Sequence, residues 1–416
     1  MRSGYRVIDV DTHVTPSVEV LLRYADADLR ARAADLQPYI RVLEPTAGRG
    51  HPETPYSILR INPIPYERVA GQKAGARVDA KGAGARGALE GRVDNLAGKG
   101  VSTGVQHDNP TGRLRDMDVE GVDVDFIIPG TWAPGSSALD LGLARLLYAA
   151  YHRYMADYCS ADSRRLKGLL LVPGADPAWA AQTIREHAAA DWVAAVWPIL
   201  PEGLPVDDPD LAPIWEAMGE ADLPLVHHSF FYEPPYFPGY RDIWGNAIVA
   251  RTAAHPWGAQ RALAYFLISG LLDRYPRLRV GFVETGHGWL AHWVLRLNSQ
   301  VEFVKSARPA LAHTPLEYVQ MGRVYCGIEN HEGPLMTKAI VDILGDHVLM
   351  YQSDYPHPES LFPHGTDVVI GWRDVLGEEA TRKLMGENAA RFLRLLSVPW
   401  DGQAGASAAP AQPASV

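Results

Sequence analysis

Eight short apolar runs, most of them followed by a stretch with helical spacing, limit this chain to few folds. They are Val7–Asp11, Val122–Pro129, Leu166–Val172, Trp192–Ile199, Leu223–Ser229, Arg279–Thr285, Arg323–Glu329 and His347–Asp354. Each is continuously apolar rather than alternating, which suits strands covered on both faces, as in parallel sheets. Helical patterns fall between them at Leu139–Cys159, Pro177–Ala190, Leu211–Ala221, Gly258–Tyr275, Gly288–Val304 and Gly333–Leu344, and a last one at Glu378–Leu395 packs the barrel closed. Strand–helix alternation repeated eight times predicts an α/β protein, a (β/α)8 TIM barrel of about 1–400, with an open doubly wound sheet as the alternative. No G-x-G-x-x-G run follows the first strand, so a dinucleotide fold gains no support.

The ends of these runs carry the chemistry. Catalytic groups of a parallel barrel project from the C-terminal ends of its strands. Here those ends hold Asp11 and His13 (VIDVDTH), His227 and His228 (LPLVHHS), Glu284 (VGFVET), Glu329 (VYCGIE), and Asp354 with His357 (VLMYQSDYPH). Asp11 and His13 are two apart, so a strand points both to one face. Asp9 lies one step deeper and reads as a buried, hydrogen-bonded carboxylate supporting the site. His227 and His228 are adjacent, so one faces inward, and periodicity does not choose between them. Glutamate is disfavoured in strands and is rarely buried without a partner. Glu284 and Glu329 on neighbouring strands therefore call for a cation between them, or for pairing with Arg323 or Arg296. His287, His292 and His331 also lie near strand ends and are candidates to support the ligands from behind, with a surface or core role preferred.

Composition narrows the partners. The 416-residue chain is 47% hydrophobic and 21% charged, ordinary globular material. Its net charge of -10 argues against nucleic acid or an anionic membrane as partner, though a bound metal can still draw an anionic substrate. Two cysteines, Cys159 and Cys326, are too few for a disulfide framework or a cysteine metal site, and suit a reducing cytoplasm. No signal peptide or membrane-spanning run is evident. Two segments break the pattern. Residues 43–112 are rich in Gly, Ala and Pro, and are either a lid over the active-site face or a stretch without a role. The low-complexity tail 402–416 reads as disordered.

The stretches IDVDTH, RLRDMDVEGVD, LPLVHH, RYPRLRVGFVETGHGWL, SDYPH and GENAARFL, in this order along nearly the whole chain, resemble the amidohydrolase-related family of metal-dependent barrels, which includes decarboxylases. That resemblance places Asp11, His13, His228 and Asp354 in a metal shell and selects His228 over His227. The chain departs from the family pattern in having Asp11 with His13 on the first strand and Glu284 where decarboxylases carry a histidine. It also has no lysine in WVAAVWPIL to form a carbamate bridge. A carboxylate-rich shell shifts preference from zinc toward iron or manganese. These departures and the long insertion resemble the branch containing the non-haem di-iron monooxygenase of platensimycin and platencin biosynthesis. The expectation is then a monooxygenase of natural-product (antibiotic) biosynthesis acting on an apolar terpenoid or acyl thioester. Asp11, His13, His228, Glu284, Glu329 and Asp354 would hold two Fe ions, with Asp354 and Glu284 catalytic. An external electron donor and a homodimer complete that picture. The aromatic stretch Phe230–Trp244 would wall its pocket, or else pack under the rim. The alternative is a mononuclear zinc- or manganese-dependent hydrolase or decarboxylase of a small carboxylic acid, with Asp354 as base. A non-catalytic binding protein fits least, because so many charged groups at strand ends would be costly without a metal.

Overall fold

The computed structural model describes residues 1–43, 56–61, 108–130, 132–201, 203–228, 247–307, 309–357 and 360–396. Eight parallel strands form one sheet in chain order: β1 (Ile8–Val14), β2 (Val124–Pro129), β3 (Leu166–Pro173), β4 (Val193–Ile199), β5 (Leu225–His228), β6 (Val280–Val283), β7 (Val324–Gly327) and β8 (Leu349–Met350). Every residue of β1 to β4 is buried, as continuously apolar strands between barrel and helices must be.

The two ends of the sheet meet. Thr12 bridges Tyr355 in parallel, and the amides of Val10, His13 and Asp354 donate to the carbonyls of Tyr351, Tyr355 and Asp11. The result is a nearly closed (β/α)8 barrel. Sequential strand order with a joined seam is incompatible with the open doubly wound alternative.

Differences from the sequence reading lie mostly at the termini of elements. β1 runs three residues past Asp11, so His13 lies within it. β8 keeps only Leu349–Met350, because beyond Met350 the chain turns its hydrogen bonds toward β1. The helix expected from Gly258 begins at Ala247 and continues through Pro256. An Ile40–Leu43/Tyr56–Leu59 antiparallel pair opens the long insertion. Most of the expected lid (residues 44–55 and 62–107), the aromatic stretch Phe230–Trp244 and the tail 402–416 lie outside the described residues.

The seam is locked from behind by Arg113, on the helix Pro110–Glu120 and within the family-like RLRDMDVEGVD motif. Its buried guanidinium donates to Asp125 Oδ2 at 2.9 Å, to Tyr158 Oη at 3.1 Å and to the His13 carbonyl, and sits over the Tyr355 ring at 5.1 Å. One side chain thus ties β2 to the site-bearing ends of β1 and β8. Removing one partner of a buried ion pair leaves an uncompensated charge, at a cost of about 3–5 kcal/mol. Arg113→Met is therefore expected to lower unfolding free energy by about that much, read from the urea midpoint. Asp125→Asn in the same chain should return part of the loss. An unchanged midpoint would show the clamp to be idle.

Candidate metal centre

Four parts of the barrel mouth deliver six ligating side chains to one place at the C-terminal end of the strands. Asp11 and His13 come from β1, His228 from β5, and Glu284 from just past β6. Asp354 and His357 come from the segment after β8. Their ligating atoms fall into two overlapping groups, Asp11–His13–His228–Glu284 and His13–Glu284–Asp354–His357, each with its atoms within 4.8 Å of one another. His13 Nε2 lies 3.3 Å from Asp11 Oδ1, 3.0 Å from Asp354 Oδ1 and 3.9 Å from Glu284 Oε2. His228 Nε2 lies 2.8 Å from Glu284 Oε2 and 3.7 Å from Asp11 Oδ1, and His357 Nδ1 lies 2.7 Å from Asp354 Oδ1.

Local folding explains the convergence. The β1–β2 register shifts between Asp9 and Thr12, an irregularity of the kind that re-aims side chains near active sites. Asp9 supports it, accepting the amides of Asp11 (3.2 Å) and Ser353 (3.0 Å), the role read from sequence. Glu284 and Asp354 adopt φ of +50° and +61°, a conformation that costs a non-glycine residue and persists where surrounding structure enforces it. Two of the three central carboxylates are thus held by strained backbone.

Buried charge on this scale needs an answer. Both oxygens of Asp11 and Asp354, both ring nitrogens of His13 and Glu284 Oε2 are buried without a hydrogen bond. They approach one another closely yet do not align as donor and acceptor, as expected of ligands aimed at a common ion rather than at each other. The residues fit a metal. Burial, followed by the charges of Asp354, Glu284, Asp9 and Glu329, pushes the Asp11 carboxyl well above the ordinary range. Burial also opposes ionisation of Glu284 and Asp354. His228 nevertheless draws Glu284 down to about 2, and the His357 and His13 rings hold Asp354 below the usual carboxylate range. Burial, reinforced by His357, lowers His13 to about 4, so its imidazole is neutral and ready to ligate at neutral pH.

Of the residues singled out in the sequence, Asp11, His13, His228, Glu284 and Asp354 come together, and His357 joins them. Glu329 does not: it lies outside both groups, its Oε1 accepting from Gln352 Nε2 at 2.9 Å. The arginine alternative for the acids does not hold for Arg323, which donates to the carbonyls of Leu278, Leu272 and Tyr275. His227 points to the outer layer beside Phe282, with ring centroids 5.6 Å apart. His287 is buried against Thr337 and Glu332, and His331 is exposed. His292, also outside both groups, lies on the helix Trp289–Phe303. The sequence reading misses His255, whose Nδ1 lies 3.9 Å from Glu284 Oε1. The extension of its helix through Pro256 hides it.

The sequence pattern of the amidohydrolase family matches residues 8–395. The chain belongs to that family. Among solved structures, it is similar to 5-carboxyvanillate decarboxylase from Sphingomonas paucimobilis, with 23% identity, a TM-score of 0.63, and coverage of 94% of this chain and 99% of that one. The manganese-bound 5-carboxyvanillate decarboxylase of Novosphingobium aromaticivorans has 18% identity and a TM-score of 0.63, covering 94% and 97%. The 2,6-dihydroxybenzoate decarboxylase from Rhizobium has 19% identity and a TM-score of 0.56, covering 68% and 87%.

These comparisons correct the expectation of a di-iron monooxygenase of antibiotic biosynthesis. The three structures named are aromatic-acid decarboxylases, and the platensimycin and platencin branch finds no support among them. Both ligand groups draw on His13, whose Nε2 faces Asp11, Asp354 and Glu284 alike. The two groups overlap, sharing His13 and Glu284. Glu329, expected among the ligands of the two irons, lies outside both groups. No helix among the described residues is long and apolar enough to cross a membrane.

Proposed function

We propose that this amidohydrolase-family chain is a mononuclear metal-dependent decarboxylase of a small hydroxylated aromatic carboxylic acid. The observation that carries this reading is the convergence of three imidazoles and three carboxylates around His13 Nε2 at the barrel mouth. The aromatic acids named for the similar structures, and the manganese in one of them, supply the substrate class and the favoured ion. Asp11, His13, His228, Glu284 and Asp354 would hold the ion, with His357 beside it. A mixed nitrogen–oxygen donor set suits manganese or zinc. Bound there, the metal supplies a Lewis acid that fixes the substrate carboxylate and offsets its charge against the acidic pocket.

The remaining work falls to protein groups. Decarboxylation breaks the ring–carboxyl C–C bond; its electron pair stays on the ring carbon, which takes up one proton as CO2 leaves. Asp354 is ionised at rest and can accept a proton from the substrate hydroxyl, then deliver it to the vacated carbon. His357, 29% exposed at its side chain and 2.7 Å from Asp354, links that carboxylate to solvent. Trp197, whose ring centroid is 5.5 Å from that of His228, fixes the imidazole from the β4 side.

The test is direct. Manganese-loaded protein should release CO2 from one or more hydroxybenzoates in a panel that includes 2,6-dihydroxybenzoate and 5-carboxyvanillate, with about one metal per chain and no oxygen consumed. Cleavage of esters or amides with no CO2 from any aromatic acid would sink the reading and favour a hydrolase.

A further inference from the structure

We propose that Glu329 and Gln352 form a positioning pair that sets the geometry of Glu284, and through it the metal affinity of the centre. The inference rests on the metal-centre reading above and gives Glu329 a role other than ligand. Gln352 Oε1 accepts the amide of Glu284 at 3.3 Å, and Gln352 Nε2 donates to Glu329 Oε1 at 2.9 Å. The order is dictated by chemistry. A backbone N–H requires the amide oxygen, a carboxylate requires the amide nitrogen, and so Glu329 fixes which way round Gln352 sits. The residue thereby held is Glu284, whose φ of +50° needs external support and whose carboxylate meets His228 at 2.8 Å.

Two further observations show that this arrangement is built in. A Cβ added at Gly327 would lie 1.7 Å from Gln352 Oε1, so only glycine there leaves room for the amide. Glu329 is itself anchored: its amide donates to His287 Nδ1 at 3.1 Å, while the amides of His287 and Gly288 donate to Glu332 Oε2 at 2.9 and 2.7 Å. The segments following β6 and β7 are thus cross-tied, and Gln352, 2% exposed, closes the ring from the β8 side. Groups that orient a ligand in this way typically change metal affinity about 10- to 100-fold when lost.

The experiment follows free Mn2+ by electron paramagnetic resonance during titration of the metal-free full chain and its variants, which requires no substrate. Gln352→Glu sets two carboxylates against each other and should weaken Mn2+ binding about 10- to 100-fold. Gln352→Glu with Glu329→Gln restores a donor opposite an acceptor at the same net charge, and should recover binding to within about threefold of wild type, a small fraction of that loss. Gly327→Ala should weaken binding by displacing the amide, with no ligand residue substituted. If Glu329 were itself a ligand, the exchanged pair would bind no better than Gln352→Glu, and that outcome would overturn the inference. So would Mn2+ affinities unchanged by Gln352→Glu and Gly327→Ala. A wild-type chain that binds no Mn2+ would overturn the metal centre and this inference together.

Discussion

Asp354→Asn is expected to reduce turnover of the aromatic acid by about 10³-fold, within the 10²–10⁴ that a positioned proton-transfer group contributes. Asparagine keeps the shape of the side chain and one oxygen for a metal, but it cannot accept and return a proton. The loss corresponds to about 4 kcal/mol in the barrier. Metal content should remain near one per chain, because the other ligating side chains are intact. Turnover, not occupancy, separates the two roles of this carboxylate. His357→Asn, which removes the ring 2.7 Å from Asp354, should cost less and chiefly alter the pH profile of kcat. A loss below tenfold in Asp354→Asn, with metal retained, would assign the proton to another group.

Much of this site is legible in the sequence, because strand ends are where sequence and barrel geometry agree. Asp11, His13, Glu284 and Asp354 each lie at the end of an apolar run, and a barrel sends such residues to one mouth. His228 over His227 is a different matter. Adjacent strand residues alternate in direction, and only the family resemblance favours His228, the one the structure sets beside Glu284. Glu329 shows how far strand ends can be trusted. It follows β7 as Glu284 follows β6, yet Glu284 turns inward through a positive φ while Glu329 is drawn aside by Gln352. Nothing in local sequence marks that difference, which arises from a hydrogen bond across 23 residues.

The error about the chemistry has a physical lesson. Counting carboxylates and histidines suggests two ions, because a set of donors without geometry cannot say how many ions share it. With His13 Nε2 facing Asp11, Asp354 and Glu284 together, the donors overlap in one place, and we read them as the shell of one ion. His255 is hidden for another reason: the sequence pattern starts its helix at Gly258, but here the helix begins at Ala247 and runs through Pro256. Arg113 is visible as part of a motif without an assigned task. Its contacts with Asp125, the His13 carbonyl and Tyr355 show that the motif holds the barrel seam on which the site is mounted.

Removing the metal should cost more stability at high pH than at low pH, and Asp11 is the reason. In the metal-free protein its carboxyl pKa lies well above that of an unfolded aspartate, about 3.9. A group raised in this way stabilises the fold fully below about pH 3.9 and loses that contribution as pH rises through the folded value. Glu284 behaves oppositely. Its pKa, lowered to about 2, gives stability above the unfolded value that is lost only as pH falls through the folded one, outside the working range. Among the carboxylate ligands, Asp11 is thus the one whose raised pKa opposes ionisation, and ligation replaces its proton with the metal. At Mn2+ about a thousandfold above Kd the gain is about 4 kcal/mol. At about 2 °C per kcal/mol for a chain this size, that raises Tm by about 8 °C. The gain should grow from about pH 5.5 to about pH 8, by at most about 1.4 kcal/mol per pH unit for each proton released. Thermal unfolding with and without Mn2+ at both pH values measures it. Asp11→Asn, which has no proton to lose, should flatten the pH dependence. A Tm gain equal at both pH values in the wild type would mean that Asp11 is already ionised without its metal.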